Sequence, residues 1–173
     1  MSASQVIKSP STLKQLKIPG LTAFVVRWAP HYSYALSTTR IIEQTSHPLH
    51  ESVKRRWAAR KDPLWWYCVT SIREGGNRKV TRGWLNRRST VAITLALNRK
   101  GYDKTGNRIA GDRFGGENLK GSAMVMVLSS ALHLKSEALS RQADMVIAHL
   151  EKAQRPKSQV YSAKLATEER SMR

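Results

Sequence analysis

The stretch from Leu64 to Ile72 reads LWWYCVTSI and decides how the neighbouring chain can fold. Aromatic and β-branched residues dominate it, and such residues favour a pleated strand. Asp62-Pro63 comes directly before it, and Gly75-Gly76-Asn77 follows as a turn signal. The sequence therefore predicts a β-hairpin in which Val80 to Leu85 returns as the second strand.

Two more apolar runs flank this hairpin along the chain. Leu21 to Trp28 lies between the breakers Pro19-Gly20 and Pro30, and Gly121 to Leu128 reads GSAMVMVL. Short apolar runs bounded by glycine and proline are typical of strands. Both are expected to join the hairpin in one small sheet.

Helical signals occupy the segments between the strands. Leu36 to Gln44 predicts a short helix, and residues 45–63 predict an irregular or part-helical connection. Ser89 is expected to cap a helix over Thr90 to Lys100, which ends at a glycine. The side chains predicted to form its buried side are Val91, Ile93, Leu95 and Leu97.

The C-terminal third predicts a loop and a last helix. Residues 101–120 contain five glycines and predict a long mobile loop. Ser136 is expected to cap the last helix, and Pro156 lies beyond its end. Its apolar residues recur at helical spacing, and they are Leu139, Ala143, Val146, Ile147 and Leu150.

This element order predicts an α+β fold. The sheet is expected to be small and mixed or antiparallel, built from the hairpin plus one or two further strands, with two main helices on one face. A length of 173 residues suits one domain, placed at residues 21–155. Residues 1–20 predict a flexible basic arm or a targeting segment, and residues 156–173 a polar tail.

Positive charge is concentrated in the middle third of the chain. Thirty Lys and Arg face twelve Asp and Glu, which leaves a net charge of +18. Residues 54–113 hold sixteen basic and four acidic side chains, a net +12, whereas residues 1–53 and 114–173 contribute +3 each. Four of the five Trp lie in the same middle stretch. A localised basic and aromatic region indicates a surface for a polyanion.

The cations of this region are the candidate nucleic-acid contacts. Lys and Arg bind phosphates through charge-assisted hydrogen bonds and counterion release. Exposed aromatic rings can stack on unpaired bases, which favours looped or single-stranded RNA over duplex DNA. At least half of the rings are expected to lie in the core. The candidate contacts are Lys54, Arg55, Arg56, Arg60, Lys61, Arg73, Arg78, Lys79, Arg82, Arg87, Arg88, Lys104, Arg108 and Arg113.

No residue pattern predicts a catalytic, metal or cofactor site. His47 and His50 are separated by Pro48, and no further His or Cys lies near them in the sequence. Cys68 lies inside a predicted strand, where a buried and inert thiol is expected. The apolar runs are too short to span a membrane. A metal-independent ribonuclease remains an alternative that no residue positively favours.

One short motif carries a family resemblance. Gly75-Gly76-Asn77-Arg78-Lys79-Val80-Thr81-Arg82 followed by a helix, and later Leu119-Lys120-Gly121 near a strand and a last helix, resembles mitochondrial large-subunit ribosomal proteins with an initiation-factor-like α+β fold. The likeness covers residues 64–152 and departs from the family pattern at Gly83-Trp84-Leu85-Asn86. It implies a ribosomal role and assigns no functional residue.

The charge and the resemblance together predict a non-catalytic structural protein of a ribonucleoprotein particle. Its expected partners are structured RNA, most specifically ribosomal RNA, and neighbouring proteins of the same particle. The N-terminal 42 residues are acid-poor and rich in Ser, which suits import into the mitochondrial matrix. The alternatives are a DNA-binding or chromatin-associated module in the nucleus, an enzyme acting on nucleic acid, and binding to an anionic membrane surface.

Overall fold

A four-stranded mixed sheet organises the computed structural model, which describes residues 6–71, 73, 78–109 and 117–154. The strands are β1 (Lys14–Leu16), β2 (Phe24–Ala29), β3 (Leu64–Val69) and β4 (Gly121–Val127). The α-helices in the described residues are α1 (Leu36–Glu43), α2 (His50–Ala58), α3 (Lys79–Arg99) and α4 (Ser136–Gln154). The predicted α+β class is confirmed.

The two interior strands of the sheet are β2 and β4. The strand order is β1-β2-β4-β3, in which β4 runs antiparallel to β2 and parallel to β3. A parallel pair needs a long crossover connection, and α3 lies within it. Strand β3 therefore lies at one edge of the sheet and β1 at the other.

One face of the sheet carries the main core beneath α3 and α4. Alternate residues of β4, namely Ala123, Val125 and Val127, point to this face because side chains alternate along a strand. The predicted apolar side of the last helix is confirmed. Its buried residues include Leu139, Ala143, Val146, Ile147 and Leu150.

The opposite face carries a smaller apolar cluster and the helix α2. Met124 packs there with Leu13 and Ala29. Trp65 points to the same side, and the ring of Trp57 from α2 lies 5.2 Å from its ring. The two main helices thus share one face as predicted, while the short α2 covers part of the other.

The predicted hairpin is wrong, because Val80 to Leu85 belongs to α3. This helix begins at Lys79 and continues through Ser89, which is completely buried inside it and does not cap a new helix. Helical spacing places its buried residues on one side, so a single long helix covers the sheet better than a two-stranded hairpin could. The buried residues of α3 are Leu85, Ser89, Ala92, Ile93, Ala96 and Leu97. The residues 75–77, predicted to turn, lie outside the described residues.

The domain also begins earlier than residue 21. Within the predicted arm, β1 pairs antiparallel with β2, and Lys14 lies opposite Trp28. Leu13 is buried at 5% exposure. The proline and glycine at 19–20 therefore mark the turn between two paired strands and not the boundary between an arm and a domain.

The described parts of the predicted 101–120 loop are held by specific contacts. The Asp103 carboxylate accepts hydrogen bonds from the backbone N–H groups of Thr105 and Asn107 and from the Thr105 hydroxyl, at 2.7–2.8 Å. Burial raises the pKa of this carboxyl, but the hydrogen bonds outweigh it and the net pKa is lowered. Tyr102 is buried. This turn closes the end of the sheet where β3 and β4 begin.

Candidate nucleic-acid interface

Three consecutive cations of α2 face solvent. Lys54, Arg55 and Arg56 are all exposed, while the next residue, Trp57, turns inward. Arg55 Nε donates a hydrogen bond to the Glu51 backbone carbonyl at 3.4 Å, which leaves its charge unneutralised. Among the described residues, no carboxylate forms an ion pair with any of the three. Their charges are available to an anion.

Arg60 differs from its neighbours because its guanidinium contacts other side chains of the protein. It lies 5.1 Å from the Trp57 ring centre and 4.9 Å from that of Trp65. It also donates two hydrogen bonds to Asp62, at 3.1 and 3.3 Å. These contacts join α2 to β3, and through them the guanidinium binds to groups of the fold itself. Lys61, beside it, is exposed.

The segment before α3 and the start of α3 carry a second group of cations. Arg73, Arg78 and Lys79 are exposed, and Arg82 is half-buried. The first turn of α3 has no acidic residue and no side-chain cap. Cations at a helix N-terminus are unfavourable next to the positive end of the helix dipole, and a bound anion would offset that cost.

Arg87 and Arg88 are adjacent in sequence but have different surroundings. Arg87 is exposed, and no carboxylate in the described ranges pairs with it. Arg88 donates hydrogen bonds to the backbone carbonyls of Ala131 and Leu134, which lie in the connection before α4. Arg88 therefore fastens α3 to this connection, whereas Arg87 points to solvent.

The last three candidates belong to the loop after α3. Lys104 is exposed, and its carbonyl accepts a hydrogen bond from Trp66 Nε1 at 2.8 Å. Arg108 donates from Nη1 to the Lys100 carbonyl at 2.6 Å, and its guanidinium lies 4.4 Å from the Tyr102 ring centre. Arg113 lies outside the described residues. Arg108 is thus engaged inside the fold, and Lys104 is free to reach outward.

The exposed candidates come from segments that adjoin the edge strand β3. α2 packs on one face of β3 through Trp57 and Trp65, and α3 lies on the other, where Thr70 Oγ1 donates to Asn86 Oδ1 at 2.6 Å. The sequence from residue 54 to 88 holds eleven basic and two acidic residues. The nine exposed candidates, called here the β3-side cations, are Lys54, Arg55, Arg56, Lys61, Arg73, Arg78, Lys79, Arg87 and Lys104.

The aromatic rings of residues 54–88 divide between core and surface, and among the four Trp only Trp65 is buried. Trp65 is 2% exposed and stacks against Tyr32 with ring centres 4.6 Å apart, while Trp57 and Trp66 are half-buried. Trp84 alone among the Trp of residues 54–88 is classed as exposed. The Arg88 guanidinium lies 5.1 Å from the centre of this ring, and the residue is 48% exposed.

Sequence reasoning placed an apolar surface on the wrong side of α3. Val91 and Leu95, predicted to be buried, are exposed together with Val80 and Trp84. A strand and a shorter helix were predicted in place of α3, so these four residues were not predicted to share one face. A single helix predicted from Lys79 onward would have placed these four residues on the same face.

The remaining reactive groups include no metal centre within the described ranges. No group of three or more His, Cys, Asp or Glu side chains there could hold a metal ion. Burial raises the pKa of the Cys68 thiol to about 11, so it stays protonated at neutral pH. No helix in the described part of the chain is both long and apolar enough to cross a membrane.

Comparisons with known proteins assign no family to this chain, so a functional proposal depends on the chemistry of this surface. No family model, curated protein or solved structure matches the chain.

Proposed function

We propose that this chain is a non-catalytic RNA-binding protein with a structural role in a ribonucleoprotein particle, and most specifically in a mitochondrial ribosome. The observation that carries the proposal is the set of nine exposed β3-side cations, which come from α2 and the residues after it, from the segment before α3, from α3 itself and from the loop after α3. Phosphate binding by such cations releases counterions and gives affinity without sequence reading.

The separation of these cations favours a folded RNA over straight duplex DNA. They come from both faces of an edge strand, so a ligand that follows them must bend around that edge. RNA loops and bulges offer such bent backbones.

The structure of α3 gives little support to the DNA-binding alternative. Thr90 and Thr94 were the main base-reading candidates on this helix, together with Asn98. The Thr90 hydroxyl donates to the Asn86 carbonyl and the Thr94 hydroxyl to the Thr90 carbonyl, so both bond to their own helix. Reading bases in the major groove requires side chains that are free to reach base edges.

Competition between nucleic acids tests the RNA assignment. A labelled RNA hairpin with an internal bulge is bound to the full chain and displaced by unlabelled bulged RNA or by duplex DNA of the same length. We expect the RNA competitor to displace the probe at about tenfold lower concentration, a preference of about 1.4 kcal/mol. Equal displacement by duplex DNA would contradict the assignment.

Sedimentation tests the particle and the compartment. The endogenous protein is expected to co-sediment with large ribosomal particles from isolated mitochondria and to move to the top of the gradient after ribonuclease treatment. Recovery with nuclear chromatin, insensitive to ribonuclease, would support the alternative module instead.

A further inference from the structure

The outward side of α3 carries an apolar stripe that no other described element covers. Val80, Trp84, Val91 and Leu95 are 83%, 48%, 57% and 48% exposed. At 100° per residue they fall within about 60° of one another and opposite the side that packs on the sheet. They are four of the eight large hydrophobic residues exposed in the described ranges. A helix that is apolar on two sides is usually covered on both.

The stripe forms a groove with the beginning of α4. Ser136, Glu137, Leu139 and Ser140 line its second wall, and the enclosed volume is about 900 Å³. From Val80 to Leu95 the groove extends along about 22 Å of helix. This length matches roughly four turns of a second helix laid along α3.

Gly83 lies in this groove and is not explained by packing within the chain. A Cβ added there would meet no atom within 4 Å outside the local helix backbone. Glycine inside a helix destabilises it, so its presence at a site with room for a side chain is costly to the fold. The absence of a side chain does allow a second helix axis to come closer, because side chains at the contact set the distance between packed helices.

The charges around the groove select the chemistry of the occupant. Lys79, Arg87 and Arg88 line it against one carboxylate, Glu137. We propose that the apolar stripe of α3 docks an amphipathic helix from a protein partner whose apolar side fills the groove and whose flanks are acidic. This inference does not depend on RNA binding.

A second copy of this chain is disfavoured as the occupant by the same charges. Packing two such stripes together would bring Lys79, Arg87 and Arg88 of one copy close to those of the other, and like charges at a contact are repulsive. RNA is disfavoured because Val91 and Leu95 offer no group that binds phosphate. Arg82 is rotated by about 200° from Val80 around the helix, so it points away from the stripe.

A designed peptide tests the docking proposal on the full-length protein. The probe is a labelled helical peptide of about 16 residues, with Leu along one side and Glu on the flanks, matched to the groove length. Its controls are a peptide of identical composition with scrambled Leu positions and one with Lys in place of every Glu. We expect only the acidic amphipathic peptide to bind tightly.

Variants locate the binding on α3. Val91→Asp with Leu95→Asp changes two exposed residues and is expected to weaken peptide binding at least about tenfold. The control pair Ser37→Asp and Ser46→Asp adds the same charge at exposed positions elsewhere and is expected to leave binding within about twofold. Gly83→Leu fills the groove without adding charge and is expected to block the peptide.

Three results would overturn the docking proposal. One is equal affinity for the scrambled acidic peptide, which would show general charge attraction. Another is a dimer of this chain that dissociates in the Val91→Asp, Leu95→Asp variant, which would make a second copy the occupant. The third is loss of RNA affinity in Gly83→Leu, which would make the groove part of the RNA surface.

Discussion

The guanidinium of Arg88 lies 5.1 Å from the centre of the Trp84 ring, one turn earlier on α3. The same guanidinium donates to the carbonyls of Ala131 and Leu134, so it fixes the helix to the chain that leads into α4. Arg87, the next residue back, has neither kind of contact among the described residues. The basic region therefore contains cations that hold the fold together and cations that face solvent.

Substitution of Arg88 and Arg87 by alanine is expected to separate these two roles. Arg88→Ala leaves two backbone carbonyls without their charged donor and is expected to lower the free energy of unfolding by about 1–3 kcal/mol. Arg87→Ala removes the same charge and is expected to change it by less than about 0.5 kcal/mol. Urea unfolding measures both. Equal destabilisation by the two changes would contradict the assigned roles.

Two glycines are expected to respond in opposite directions to alanine. Gly121 has φ +99° at the start of β4, and a Cβ there would collide with the Ala29 carbonyl oxygen. We expect Gly121→Ala to lower the free energy of unfolding by more than about 2 kcal/mol. Gly83→Ala, in the open middle of a helix, is expected to raise it by about 0.5–1 kcal/mol. Thermal unfolding of the two variants is the measurement, and destabilisation by Gly83→Ala would show that packing does require this glycine.

Cys68 is expected to be unreactive in the folded protein. Its pKa is raised to about 11 by burial, so little thiolate exists at pH 8 and a thiol reagent should react far more slowly before urea unfolding than after it. Because the folded pKa exceeds the unfolded value, the thiol's contribution to stability is complete below about pH 8.5 and is lost as pH rises toward 11. Cys68→Ala should lack this part of the pH dependence. Rapid labelling of the native protein at pH 8 would refute the buried thiol.

Matched triple variants are expected to locate the RNA surface. Lys54→Gln, Arg55→Gln and Arg56→Gln together remove three exposed charges from α2, and we expect RNA affinity to fall at least about tenfold. Lys8→Gln, Lys14→Gln and Lys17→Gln remove three exposed charges near the opposite edge strand. We expect this control to lose several-fold less affinity at the same salt concentration. An equal loss in both variants would indicate a diffuse charge effect without a defined surface.

The sequence was sufficient to predict the strands rich in β-branched and aromatic residues and the last helix. Leu64–Val69 and Gly121–Val127 form strands within two or three residues of the predicted bounds. Val80 to Leu85 was wrongly predicted as a strand because the nearby Gly-Gly-Asn triplet is a strong hairpin signal. The competing signal was the helical spacing of Leu85, Ser89 and later buried residues, which becomes decisive only over the whole of α3.

The basic region could be located from the sequence, but the different roles of its cations could not be predicted. The region 54–88 was evident from charge alone, whereas the roles of Arg60 and Arg88 depend on partners that the fold supplies. Arg88 binds carbonyls more than forty residues away in sequence, at Ala131 and Leu134. No local sequence pattern distinguishes Arg88 from Arg87, because the two residues have the same charge and differ only in the atoms that surround them in the fold.

A salt titration of RNA binding tests the central proposal most directly. The affinity of the full chain for a bulged RNA hairpin is measured from low to moderate salt by fluorescence anisotropy. We expect the logarithm of the association constant to fall linearly with the logarithm of salt, and the slope to be smaller by about two to three units in the Lys54→Gln, Arg55→Gln, Arg56→Gln variant. An affinity that stays flat across this range, or a slope that the triple variant leaves unchanged, would contradict phosphate binding by these cations.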